Sequence, residues 1–143
     1  MDNKRHIGKE IDIISNKIRR KIDHEVSKYG LTGVQAKIVG FVYFASKNRE
    51  VFQKDIENDL KIRSSSVTSV LQLMEKNGYI KRVSVCEDAR LKKIILTDKG
   101  IEVQEKVFTI IDNIENQIQQ EITDEELRFL FNIFDKLSKK FSD

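Results

Sequence analysis

Apolar residues recur along most of this chain at helical spacing, with one interruption where the pattern turns β-like. Ile7, Ile11, Ile14, Ile18, Ile22, Val26 and Tyr29 step by three and four, one stripe of a long helix that Gly30 ends. Thr32-Gly33-Val34-Gln35 then reads as a capping box, in which the Thr hydroxyl accepts the Gln N–H and the Gln side chain reaches back. The helix it opens carries Val34, Ile38, Phe41, Val42 and Ala45, and Lys47-Asn48-Arg49-Glu50 breaks it. Phe52 to Leu60 is a short helix with Ile56 and Leu60 inward, and Lys61-Ile62-Arg63 turns the chain. Near the end, Thr97-Asp98 caps a helix to Gln120 with Val103, Val107, Ile110, Ile111, Ile114 and Ile118 on one side. Thr123-Asp124-Glu125-Glu126 is a second capping box, followed by Leu127, Leu130, Phe131, Phe134, Leu137 and Phe141. Phe129 and Ile133 make that last stripe wider than one neighbouring helix covers.

The segment from Ile62 to Leu96 differs from the rest. Ser64-Ser65-Ser66-Val67-Thr68-Ser69 opens an amphipathic helix that runs to Asn77 and stops at Gly78. Val67, Val70, Leu71 and Met74 form its buried stripe, which leaves Ser65, Ser66, Thr68, Ser69 and Gln72 on the outer faces. Serine competes for backbone hydrogen bonds and forms helices indifferently. One serine, Ser64, serves as a helix cap; the others exceed what capping needs, and small polar residues let a helix press close to a groove floor. Two β-like runs follow, Tyr79 to Val85 and Lys93 to Leu96, around a polar turn from Cys86 to Lys92 that contains Arg90. A short helix, a three-residue turn, a longer helix and a hairpin have the proportions of a winged helix-turn-helix. The predicted fold is mainly α: about six helices plus a two- or three-stranded wing.

Charge agrees with that division. Residues 61–99 hold 9 basic and 4 acidic groups, whereas residues 100–143 hold 5 and 10. A net positive helix-and-hairpin segment fits phosphate contact, and the acidic C-terminal third belongs away from nucleic acid. Long amphipathic helices at both ends either fold back on their own core or pack against a second chain. With no proline and six glycines in 143 residues, connections are short. No apolar run approaches the roughly 18 residues of a membrane span, and the charged start has no signal-peptide core. One cysteine makes no intrachain disulfide, which points to the reducing cytoplasm.

Chemistry of other kinds has little support. Phosphate-loop, dinucleotide and nucleophile-elbow motifs are absent from the sequence, so an enzyme is not expected. His6 and His24 share a helix face but lie roughly 27 Å apart, too far for joint metal coordination. Neither a metal nor a cofactor is expected. Cys86 stands near Arg82, Arg90 and Lys92, neighbours that favour a thiolate, so a redox-responsive role is one alternative to an incidental strand-end cysteine. A winged module that binds protein instead of DNA is another, and the Ser/Thr face and basic hairpin argue against it.

Ordered along the chain, Leu31-Thr32-Gly33-Val34-Gln35, Ser66-Val67-Thr68, Leu73 to Ile80, Glu87-Asp88-Ala89-Arg90 and Leu96-Thr97-Asp98-Lys99-Gly100 resemble the multiple antibiotic resistance regulator (MarR) family of bacterial transcription factors. The resemblance implies one MarR-like domain over residues 1–143. Its DNA-binding lobe would be residues 31–97, and residues 1–30 and 98–143 would supply the helices of an intertwined two-fold dimer. It implies a recognition helix starting at Ser64. The family's Asp-x-Arg motif falls on Asp88 and Arg90, with the Arg in the minor groove and the Asp holding it. Small-molecule effectors acting between the lobes are common in the family. The chain departs from the pattern after Ile56, where Glu57 replaces a small alanine. The expected DNA-contacting set is Arg63, Ser64, Ser65, Ser66, Thr68, Ser69, Gln72, Asp88, Arg90 and Lys92. The expected function is a homodimeric, ligand-responsive repressor on a pseudo-palindromic operator of double-stranded DNA.

Overall fold

The computed structural model describes residues 4–85 and 88–142, with the side chains of Asp88 and Ala89 outside the description. Its elements are α1 (Ile7–Ser27), α2 (Gly33–Ala45), α3 (Gln53–Leu60), α4 (Ser64–Lys76), β1 (Ile80–Val85), β2 (Asp88–Leu96), α5 (Asp98–Gln120) and α6 (Asp124–Lys140). The chain divides into two compact units, one running through Ile110 and the other from Ile111.

The helix ends follow from local chemistry. Thr32 Oγ1 accepts the Gln35 N–H at 3.2 Å and Gln35 Oε1 accepts the Thr32 N–H at 3.0 Å, so the first capping box forms as expected. The second forms the same way between Thr123 and Glu126. At α3 the cap residue is Phe52, not the first helical residue. Phenylalanine has no acceptor, so only the return half of a box exists: Asp55 Oδ2 accepts the Phe52 N–H at 2.9 Å. That bond, with Arg49 beside it, holds the Asp55 carboxyl below its ordinary range. The cap of α4 is Arg63, which makes no side-chain cap bond, so Ser64 is the first helical residue and not the cap. Lys61, between α3 and α4, takes a left-handed conformation with φ 55°.

One core fills the first unit. Val26, Ile38, Val39, Val42, Ile56, Val67, Leu71, Met74, Ile80 and Ile94 are fully buried together, and Val103 and Val107 of α5 join them. The stripe of α4 is therefore as expected, and Ile56 anchors α3 against it even though Glu57 follows. The apolar stripe of α1 is buried only at its end: Val26 is fully buried, whereas Ile7 and Ile14 are 73% and 56% exposed. In the second unit α6 buries no residue completely, and Phe129, Phe131, Ile133, Phe134 and Phe141 are all exposed.

The hairpin departs from expectation in length. β2 begins at Asp88 and not at Lys93, so Arg90, Leu91 and Lys92 are strand residues and not turn residues. The pairing is antiparallel and regular from Ile80↔Leu96 to Ser84↔Lys92, and then Val85 pairs with Asp88. Ala89, Arg90 and Leu91 are thus extra residues on β2, a bulge at the far end of the wing. Two strands make the sheet among the described residues. One further bond, from the Ile94 N–H to the Val51 carbonyl at 2.7 Å, ties the chain ahead of α3 to the outer edge of β2.

Two sets of contacts fix the wing to the helices. The first surrounds Tyr79. α4 ends with the Gly78 N–H on the Glu75 carbonyl and the Tyr79 N–H on the Met74 carbonyl, a Schellman ending that needs Gly78 at φ 82°. The Tyr79 carbonyl accepts the Thr97 N–H at 3.1 Å, Thr97 Oγ1 donates to the Gly78 carbonyl, and the Gly100 N–H donates to Thr97 Oγ1. In the second set, Glu75 of α4 takes the Arg82 guanidinium at 3.1 Å on one oxygen and the Arg82 N–H at 3.2 Å on the other. Arg82, with Lys92 adding attraction, holds the Glu75 carboxyl below its ordinary range.

Two outcomes follow from this packing. A Cβ on Gly100 would stand 2.2 Å from the Tyr79 carbonyl oxygen, a backbone atom that cannot swing aside. Gly100→Ala should destabilise the fold by about 1–3 kcal/mol, the usual range for overpacking, read as a lower denaturant midpoint with unchanged slope. Glu75→Gln should remove up to about 1 kcal/mol, as an exposed ion pair does. Because the folded carboxyl titrates below its unfolded value of about 4.3, that difference should be complete above this value. It should shrink as pH falls through the lower folded value. A difference that persisted undiminished in acid would show that charge is not its source.

Candidate nucleic-acid interface

The first two turns of α4 carry no acidic residue and no side-chain cap, so the positive end of the helix dipole faces outward beside Arg63. Ser65, Ser69 and Gln72 fall at i, i+4 and i+7 on one exposed face, and Ser66 is exposed beside them. Arg63 and Ser64 are also exposed. Thr68 differs: it is half-buried, and its hydroxyl accepts from Gln53 Nε2 at 2.8 Å while donating to the Ser64 carbonyl at 2.9 Å. Ser69 likewise donates to the Ser65 carbonyl, at 3.2 Å. These i−4 back-bonds satisfy the hydroxyls within the helix, at a slight cost in helix stability.

In the wing, Arg90 is exposed within the β2 bulge, and Lys92 is exposed opposite Ser84. Asp88 is the first residue of β2. Its side chain is outside the description, as is Cys86, so neither the Asp88–Arg90 hold nor a thiol role for Cys86 is tested by this geometry. Lys93 is turned to Glu50 at 3.7 Å, a contact that braces the wing and leaves Lys92 as the outward lysine of the pair.

The structure thus gathers the expected residues into two groups, Arg63 to Gln72 on α4 and Asp88 to Lys92 on the wing. The Glu75–Arg82 pair sets the wing against the same helix. Two residues of this arrangement carry no periodic signal in the sequence. Gln53 reaches α4 from the start of α3, fifteen positions away, and Arg82 meets Glu75 only because a turn and a strand intervene. A polar residue opening the first helix of a helix-turn-helix was the available hint for Gln53. No group of His, Cys, Asp and Glu able to hold a metal exists among the described residues, and no helix among them is long and apolar enough to cross a membrane.

Comparison with known proteins gives the arrangement a family. The MarR family profile matches residues 29–91, the span from the α1–α2 turn to the wing bulge. The transcriptional regulator BilQ of Clostridioides difficile (strain CD3) is 27% identical over 90 residues. That match takes in 63% of this chain and 61% of BilQ, so the chain spans about three fifths of that relative's length. The MepR–DNA complex of S. aureus superimposes with a TM-score of 0.90 at 24% identity, over 96% of this chain and 100% of MepR, a likeness of fold. The transcription regulator MarR of Oenococcus oeni PSU-1 superimposes with a TM-score of 0.78 at 30% identity, over 94% of this chain and 99% of that one. The six helices, the two-stranded wing and a full-length relative at this identity agree, and the chain belongs to the MarR family.

Proposed function

We propose that this protein is a transcriptional regulator, not an enzyme, that binds double-stranded DNA as a two-fold dimer. α4 enters the major groove, the wing reaches the neighbouring minor groove, and a small-molecule effector releases the protein from a pseudo-palindromic operator that it represses. Its place of action is the cytoplasm, with its DNA. The observation that carries the reading is the exposed, acid-free start of α4, tied to a basic hairpin whose bulge presents Arg90. A family neighbour, MepR, is seen in complex with DNA, which supports it.

Roles within the interface follow from chemistry. Arg63 and Lys92 contact phosphates, a sequence-independent contribution. Ser64, Ser65, Ser66, Thr68, Ser69 and Gln72 face base edges and the adjoining backbone. Arg90 enters the minor groove, where a narrow groove's negative potential favours a guanidinium, and Asp88 holds it there with less entropy to lose.

The dimer rests on apolar surface that each unit leaves uncovered. In the first unit, Ile7, Ile11 and Ile14 of α1 are 73%, 43% and 56% exposed. In the second, the whole of α6 lacks a fully buried residue. Surface of this kind on a soluble chain marks an interface. An isologous pairing would set two copies of α4 about one helical turn of DNA apart, roughly 34–36 Å.

Two measurements test the reading. On an operator selected from a random duplex library, Arg90→Ala should leave the dimer intact and weaken binding by more than about 1 kcal/mol. Lys92→Ala should weaken all sequences alike and lower the salt slope by about one phosphate contact. Unchanged affinity of the Arg90 variant across salt concentrations sinks the wing assignment. Removing the chain from Phe131 onward should abolish dimerisation and operator binding together, although no residue expected at DNA is touched. A full-length protein that sediments as a monomer at micromolar concentration, yet binds its operator tightly, would rule the dimer out.

A further inference from the structure

The hydroxyl of Thr68 is already occupied without any ligand. It has one proton and two lone pairs. The proton goes to the Ser64 carbonyl at 2.9 Å, and one lone pair takes the Gln53 amide at 2.8 Å. The same Gln53 nitrogen lies 3.4 Å from the Ser64 carbonyl, so the amide bridges both partners of the threonine bond. Ser69 makes the ordinary i−4 bond of a helical hydroxyl, to the Ser65 carbonyl, at 3.2 Å. Thr68 is distinguished by a clamp from a second helix.

A base acceptor could take the Thr68 proton only by displacing the Ser64 carbonyl. What the side chain can present to a groove without breaking a bond is its methyl group and one remaining lone pair. That lone pair can only accept, so it has no partner on thymine, whose major-groove edge carries an acceptor and a methyl. The apolar group that a major groove displays is the thymine C5-methyl, and a threonine methyl is a fit partner for it. Resting on the DNA-binding reading above, we propose that Thr68 is a specificity-determining residue that recognises a thymine through methyl contact. Gln53 is the positioning residue that keeps its hydroxyl turned back into the helix. The Ser/Thr face of α4 is then divided, with the exposed Ser65 and Ser66 offering hydrogen bonds and Thr68 offering hydrocarbon.

The test replaces each thymine of the selected operator, one at a time, by deoxyuridine, which removes only the C5-methyl. Binding of the full-length protein should weaken roughly fourfold at one thymine in each half-site, the worth of about one buried methyl. Thr68→Val keeps the branched methyl and loses the hydroxyl, and should keep that sensitivity. Thr68→Ser keeps the hydroxyl and loses the methyl, and should bind thymine and deoxyuridine equally at that position while remaining sensitive to unrelated substitutions. Gln53→Ala should reduce the same sensitivity, because the freed hydroxyl can turn outward. The opposite pattern, with Thr68→Ser like the parent and Thr68→Val indifferent to the methyl, would assign recognition to the hydroxyl and overturn the proposal. So would a parent protein that shows no deoxyuridine-sensitive thymine, a result that needs no variant to fold. A protein that selects no sequence from the library would refute the DNA-binding reading itself, a separate failure.

Discussion

The fold turns on the junction at Tyr79. Its N–H closes α4 on the Met74 carbonyl, its carbonyl receives Thr97 at the start of α5, and its hydroxyl reaches the Tyr29 carbonyl between α1 and α2 at 3.5 Å. Gly100 approaches so closely that no side chain fits there. Lys99 closes the outside, with its ammonium on the Asn77 carbonyl at 2.7 Å and 4.5 Å from the centre of the Tyr79 ring. Four helices and the wing therefore meet at one buried tyrosine. The Met74 carbonyl is a group that would otherwise be orphaned at the end of α4, so losing the Tyr79 N–H there costs more than a surface bond. In the short run Leu96-Thr97-Asp98-Lys99-Gly100, Leu96 pairs with Ile80, Thr97 bonds to Gly78 and Tyr79, Lys99 bonds to Asn77 and Gly100 packs on Tyr79.

That junction also explains how a helix of middling propensity can hold the place that the proposed function gives it. α4 opens with three serines and has no side-chain cap, and as an isolated segment it would form poorly. Its C-terminal end is fixed by Gly78 and Tyr79, its middle by Val67, Leu71 and Met74, and its flank by Gln53 from α3. Held at these places, its first turns can carry residues chosen for contact and not for helix formation.

Much of this was legible in the sequence because it is periodic or local. The α4 stripe, both capping boxes, the Gly30 and Gly78 stops and the long α5 each announce themselves within one turn of helix. The wing is longer than the sequence suggests: Ala89-Arg90-Leu91-Lys92 alternates apolar and polar residues, but Glu87-Asp88 ahead of it signals a turn and Lys92-Lys93 interrupts the alternation before Ile94. A bulge shifts the pairing register at this end of the hairpin, and cross-strand pairing to β1 supplies the order there. Residue type alone suggests Ser64 as a cap, whereas the chain's path puts Arg63 in the capping position. The Gln53–Thr68 and Glu75–Arg82 bonds join residues that only the turn geometry brings together, so no spacing rule reveals them. Family resemblance covered part of this gap: it marked Asp88 and Arg90 as a functional pair without showing that a bulge presents the arginine.

On the proposed function, the two kinds of surface on the chain have opposite requirements, and they fall on different stretches of the sequence. Groove contact needs small polar groups whose hydrogen bonds and rotamers are settled beforehand, since ordering them on binding subtracts from affinity. The Thr68–Ser64 and Ser69–Ser65 back-bonds do this within α4 itself. Self-association, on the proposed reading, needs broad apolar area, and α6 offers exposed phenylalanines that would be a liability beside an anionic duplex. The charge pattern follows the same division, basic through α4 and the wing and acidic through the last third. If the protein acts on DNA as proposed, acidic residues around α6 repel phosphate and favour approach through the basic segment, which leaves the apolar residues of α6 for a second copy.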